Sequence, residues 1–132
     1  MKKATEAWLD FARRDLEAAK LLVEHEYVSN AVLFHSQQCL EKCLKALLEE
    51  ADVRVPHIHS VVKLSSLLAE EAGMSLSLNE DELDLVDAVY VDMRYPSGIG
   101  LLPSGFPTKE DAQRLVRIAE KAYSETAKRL SR

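Results

Sequence analysis

Residues 30–51, NAVLFHSQQCLEKCLKALLEEA, run for about six helical turns without a glycine or proline, and most of them are good helix formers. At 100° per residue, Leu33, Leu40, Cys43, Leu44, Leu47, Leu48 and Ala51 share one broad apolar arc. His35, Gln38, Lys42, Lys45 and Glu49 fall opposite, with Glu41 at the edge. An apolar arc of that width touches two neighbouring helices, so the stretch reads as the central helix of a bundle. Its polar arc is the first candidate functional surface.

The flanking sequence supplies the other helices. Thr5 reads as the N-cap of a first helix to about Glu26, with Trp8, Phe11, Ala12, Leu16, Ala19, Leu22 and Val23 inward. Asp15 falls near the middle of that apolar arc, where a carboxylate needs a cation or several donors unless it reaches water at the bundle's end. Arg94 is the partner this reading nominates. After Pro56 breaks the pattern, Ser60 to Ala72 reads as a shorter helix that Gly73 closes in a left-handed cap. Asn79, with Glu82 three residues on, opens a helix that carries Leu83, Val86, Val89, Tyr90 and Met93 and stops at Tyr95, before Pro96. Thr108 and Asp111 open the last helix, which runs to about Leu130. Nothing alternates as a strand does. The expectation is an all-α single domain over 1–132: an up-and-down four-helix bundle with one additional short helix.

Composition narrows the function classes. The 132 residues are 47% hydrophobic and 30% charged, with a formal net charge of −5. That balance argues against a general nucleic-acid coat, since phosphate affinity comes largely from Lys and Arg; a local basic patch stays open. No apolar run approaches the ~20 residues of a membrane span, and no signal peptide opens the chain, so a cytoplasmic protein is expected. Cys39 and Cys43 stand four apart on one helix and read as reduced thiols.

Three groups of residues could carry chemistry. His35, Gln38, Lys42 and Lys45 could together bind a phosphate or nucleotide, while Glu41 and Lys45, four apart, also suit a plain surface ion pair. His35, Cys39 and Cys43 repeat at four-residue spacing, but spread over nearly two turns they cannot converge on one zinc without help, for instance from His57 or His59, so no metal is expected. Arg94 and Tyr95 precede PSGIGLLPSGFP (96–107), which holds three of the four prolines and three of the four glycines. A cation there complements a helix C-terminus or grips a phosphate. The loop is not a P-loop, since no Lys-Ser/Thr follows. Its Ile99, Leu101, Leu102 and Phe106 would form an apolar partner surface.

Four segments, in order, carry a resemblance: ARRDLEAAKLL (12–22), HSQQCLEKCLKALL (35–48), PHIHSVVKL (56–64) and YVDMRYP (90–96) before an acidic, Ala-rich last helix. Together they resemble the HEPN domain, the helical domain named for higher eukaryotes and prokaryotes nucleotide-binding. The resemblance implies a self-pairing helical bundle that associates with nucleotide or RNA, often beside a separately encoded minimal nucleotidyltransferase in a toxin–antitoxin-like pair. No cofactor is implied. Many members of that family are metal-independent ribonucleases with Arg, four to six residues, then His. Here Arg94 stands where that Arg belongs, but no histidine follows it. Arg54 to His59 meets the spacing only in the loop before the third helix. The resemblance therefore implies a binding partner built around Arg94, Lys42, Lys45, Gln38 and His35, supported by Asp15, Glu41, Tyr90 and Tyr95. A ribonuclease borrowing His35 or His59, and a purely structural dimer, are the alternatives.

Overall fold

The computed structural model describes residues 1–94 and 107–131, and only the backbone of 91–94. Its elements are α1 (Lys3–Leu22), a 3₁₀ turn (Glu26–Val28), α2 (Ser29–Glu50), α3 (Val61–Ala72), α4 (Glu80–Arg94) and α5 (Lys109–Leu130). No strand occurs among the described residues, and no described helix is long and apolar enough to cross a membrane. This is the all-α bundle read from the sequence, with α3 as the short extra helix. Expectations for Arg94, Tyr95, Ile99, Leu101, Leu102 and Phe106 fall on side chains outside the described residues.

α2 is more enclosed than its apolar arc suggests. It packs against α1, α3, α4 and α5. Leu33, Leu40, Cys43, Leu44, Leu47 and Leu48 are buried as read, but so are Gln37, Glu41 and Lys45 from its polar side. With four partners instead of two, that side also lies under protein. Ala51, placed on the apolar arc by periodicity, is exposed because the helix has already ended. Asp52 takes left-handed backbone (φ 61°), and the Val53 N–H returns to the Leu48 carbonyl at 3.0 Å.

α1 departs from expectation at both ends. It starts at Lys3, and Thr5 is a buried helical residue whose hydroxyl donates to Glu50 Oε1 at 2.9 Å, so it is not the N-cap. It ends at Leu22, before the 3₁₀ turn. Of its expected stripe, Ala12, Leu16 and Ala19 are buried, Trp8 is half-buried and Phe11 is 54% exposed. α1 lies at the margin of the bundle against α2 and α5, which leaves cover for a narrow stripe only.

The later helices follow their caps. Ser60 Oγ accepts from the Lys63 N–H at 3.1 Å and donates to Asp87 Oδ2 at 2.6 Å, while Asp87 Oδ1 takes the Val61 N–H at 2.7 Å. A carboxylate from α4 thus sits on the positive end of α3. Gly73 closes α3 at φ 63°. Asn79 and Glu82 exchange bonds at 2.8 and 3.0 Å at the start of α4, and Thr108 and Asp111 do so at 3.1 and 2.9 Å before α5. Leu33, Leu40, Leu44, Leu47, Leu64, Leu68, Val86, Val89 and Leu115 share the main core. Ala12, Leu16, Cys39, Cys43 and Ala119 form a second cluster between α1, α2 and α5.

Two outcomes test this packing. Leu44 is fully buried, so Leu44→Ala is expected to lower unfolding stability in urea by about 2–5 kcal/mol. Glu125 pins the residues before α4 to α5. Burial alone would push its carboxyl up, but the Ser77 N–H and the Arg129 guanidinium outweigh it and hold it below the ordinary carboxylate range. A depressed carboxyl stabilises above the unfolded value of about 4.3 and stops doing so as pH falls through the folded value. Urea midpoints should therefore show Glu125→Gln destabilising at pH 7, with the difference from the parent shrinking as the medium is acidified below pH ~4.

Candidate functional site

The polar side of α2 meets α1 in an antiparallel register that can be read from the pairs. Trp8 faces Lys45, with the ammonium 5.5 Å from the ring centroid, and Phe11 faces Lys42 at 5.8 Å. Asp15, one turn further along α1, reaches His35 and Lys42. Spacings of three and four on each helix bring these side chains into one row.

Two clusters of the same composition result, each a carboxylate holding a lysine and an imidazole. In the first, Asp15 Oδ2 accepts from Lys42 Nζ at 2.6 Å and Oδ1 meets His35 Nδ1 at 2.8 Å. In the second, Glu41 Oε2 accepts from Lys45 Nζ at 2.9 Å, and His59 Nδ1 lies 3.2 and 3.3 Å from its two oxygens. Gln37 Nε2 donates to Glu41 Oε1 at 3.1 Å and to the His59 carbonyl at 3.2 Å, while Gln38 Nε2 donates to Gln37 Oε1 at 2.7 Å. An ionised carboxylate only accepts, so both imidazoles carry a proton on Nδ1 and turn Nε2 away from their carboxylates. Each ring also meets an aromatic neighbour. Phe34 stands edge-on to His35 at 5.4 Å, and His59 stacks on Tyr90 of α4 at 5.3 Å.

Exposure separates the two lysine–carboxylate pairs but not the two imidazoles, since the His59 side chain is 52% exposed and that of His35 32%. The Lys45 and Glu41 side chains are 6% and 5% exposed. Their pair is a buried one, contrary to the surface ion pair suggested by the i, i+4 spacing. The Lys42 and His35 side chains are 22% and 32% exposed, so the first cluster meets solvent. Asp15 has internal partners, and the described ones are His35 and Lys42; the nominated Arg94 side chain lies outside the described residues, as does Tyr95. Of the residues nominated from the sequence, Asp15, His35 and Lys42 belong to the first cluster, and Gln38, Glu41, Lys45 and Tyr90 to the second.

Gln37, Trp8 and Phe11 join these clusters without having been nominated for a site, and His59, named as an imidazole that a ribonuclease could borrow, joins through Glu41. Gln37 sits beside the polar arc, where periodicity predicts neither core nor site. His59 comes from 18 residues away from Glu41, and no local spacing announces that contact. The cysteines do not join. Both are free and buried, and the hydrogen bond with Cys43 together with burial holds the Cys39 thiol well above the ordinary thiol range. Among the described residues no group of three His, Cys, Asp or Glu is placed to hold a metal. A groove of about 290 Å³ between α3 and α4 is lined by Val62, Ser65, Ser66, Ala69, Ser75, Glu80, Leu83 and Asp84. Its only charged groups are carboxylates, which suits no phosphate.

Known proteins match this chain over nearly its whole length. The family model of the HEPN domain matches residues 5–130. The Methanocaldococcus jannaschii protein named "Putative toxin MJ1304" is 32% identical over 127 residues, covering 89% of this chain and 82% of that protein. The crystal structure of a Thermotoga maritima HEPN domain protein, TM0613, superposes with a TM-score of 0.67 at 29% identity, over 96% of this chain and 98% of that one. TT1696 from Thermus thermophilus superposes with a TM-score of 0.75 at 24% identity over the same shares, a likeness of fold.

Breaking the buried pair tests what it contributes. Lys45→Met leaves Glu41 without its ammonium and is expected to cost about 3–5 kcal/mol, whereas Lys45→Met combined with Glu41→Leu should recover most of that loss. Urea unfolding of the two single variants and the double variant measures it.

Proposed function

The chain belongs to the HEPN domain family, and on that premise we propose that it is a toxin-like protein that binds nucleotide or RNA without cutting it. In this reading it pairs with itself and works beside a separately encoded minimal nucleotidyltransferase. The observation that carries the binding role is the Asp15 cluster, which fixes the Lys42 ammonium and the His35 imidazole side by side where solvent reaches them. Asp15 uses one hydrogen of the ammonium and one ring nitrogen, so further N–H groups on Lys42 can take phosphate oxygens, and the Nε2 of His35 can do so when the ring is an imidazolium. Gln38 adds an amide on the same helix face, and Lys45 with Glu41 hold that face in shape from beneath. The toxin-like role draws on the name of the archaeal relative. The absence of a histidine after Arg94 supports a binder, because the imidazole of the family's nuclease motif is missing.

The ribonuclease alternative has one observation in its favour: His35 and His59 each have Nδ1 tied to a carboxylate, the orientation that leaves Nε2 for proton transfer. RNA recovered after incubation in chelator decides between the two. Intact RNA favours the binder; cutting that is lost in His35→Ala and His59→Ala favours the enzyme.

Fluorescence titration with a labelled RNA oligonucleotide and with ATP tests the binding site. Lys42→Ala should weaken binding by roughly tenfold, the scale of one charge-assisted hydrogen bond, and adding Arg94→Ala should weaken it further with the far-ultraviolet helical signal unchanged. Full affinity in the double variant, or no binding by the parent, would overturn this reading. Co-purification of a nucleotidyltransferase from the native host tests the partnership separately.

A further inference from the structure

Two aromatic rings flank the open cluster without being covered. Phe11 is 54% and Phe34 is 41% exposed, high for side chains that gain about 1.5–3 kcal/mol on full burial. Each touches one cationic or cationisable member of the Asp15 cluster: Phe11 lies under Lys42, and Phe34 stands against His35. The chain of contacts runs Phe34, His35, Asp15, Lys42, Phe11, so the rings stand at the two ends of that chain.

We infer that Phe11 and Phe34 form a stacking strip for unpaired bases, so that this face takes a single nucleic-acid strand with little sequence preference. The inference rests on the nucleotide- or RNA-binding reading above and adds the form of nucleic acid and the groups that grip it. The charge balance favours bases over backbone as the main contact. Asp15 neutralises one charge of its cluster and the chain carries −5 overall, so long-range attraction for phosphate is small. Every base offers a π-face, and stacking on an aromatic side chain is tolerant of sequence. Lys42 and His35, between the rings, suit the phosphate that links two stacked nucleotides. A duplex hides its base faces and cannot use the strip.

The test titrates the intact protein with a labelled single-stranded RNA, with the same RNA annealed to its complement, and with ATP, at several salt concentrations. Phe11→Ala and Phe34→Ala should each weaken single-strand binding by about 5- to 150-fold, and Phe11→Trp should retain it. Both rings are surface groups, and urea midpoints verify that the variants fold. With two phosphate-facing groups, log affinity should fall against log salt with a slope no steeper than about −1.4. Tyr27→Ala, which removes a ring that is 99% exposed and takes no part in the cluster, should leave binding unchanged. Single-strand affinity that survives both Phe→Ala changes, or falls equally with Tyr27→Ala, overturns the strip while leaving the binding function standing. Equal affinity for the duplex does the same. Absence of binding to RNA and ATP alike overturns both. A fall in assembled mass in Phe11→Ala or Phe34→Ala with RNA affinity unchanged would make the rings a protein contact instead.

Discussion

The arrangement of the first two helices depends on two carboxylates that fold out of bulk water. Asp15 and Glu41 are 8% and 4% exposed, and an unpaired charge so placed would shift its protonation or cost several kcal/mol. Each is satisfied by a lysine of α2 and by an imidazole. Because Asp15 stands on α1 and its lysine on α2, the pairing restricts how α1 can rotate against its neighbour. The imidazole of His59 extends the constraint, since it comes from the segment after α2 and stacks on Tyr90 of α4. The Gln37 amide, bonded to both Glu41 and the His59 carbonyl, closes the same ring of contacts. Apolar packing supplies most of the folding free energy, and these charges add directional pairings between α1, α2 and the segment before α3.

The two clusters share a composition and differ in what covers them. The segment before α3 reaches Glu41 and Gln37 through the His59 ring and carbonyl, while Asp15 comes to α2 from α1. A lysine at 6% exposure is shielded from a ligand, and one at 22% can exchange a partner for a ligand oxygen. Repetition of one motif therefore yields a buried lysine–carboxylate pair and an accessible one, each with an imidazole that meets solvent. The difference is burial, not chemistry.

Much of this was legible before any coordinates. The Ser60, Asn79–Glu82 and Thr108–Asp111 starts and the Gly73 stop are local signals with local causes, and each occurs where it was read. Thr5 misled because a threonine near a helix start has the same spelling whether it caps its own helix or bonds Glu50. Phe11 misled because periodicity names a face without saying whether another helix covers all of it. Glu41 and Lys45 present the same i, i+4 spacing on a surface or in an interior. Lys42, His35, Gln38 and Asp15 could be nominated because 3.6-residue periodicity groups them. His59 could be named as an imidazole but not placed against Glu41 and Gln37, since those contacts join segments far apart in sequence.

The Glu41 cluster also bears on the residue that the sequence made most of. Tyr90 is held by the His59 ring, and residue 94 ends α4 one turn beyond it, so the backbone sets both on one face of that helix. A rotation of α4 that moved position 94 across this face would carry Tyr90 off the imidazole and disturb Glu41 and Lys45 with it. Tyr90 of α4 is thereby tied to Glu41 of α2 through the His59 ring, in addition to apolar contacts. Since Lys42 lies three residues from Lys45 on the same helix, the open cluster and the end of α4 are referred to one rigid element.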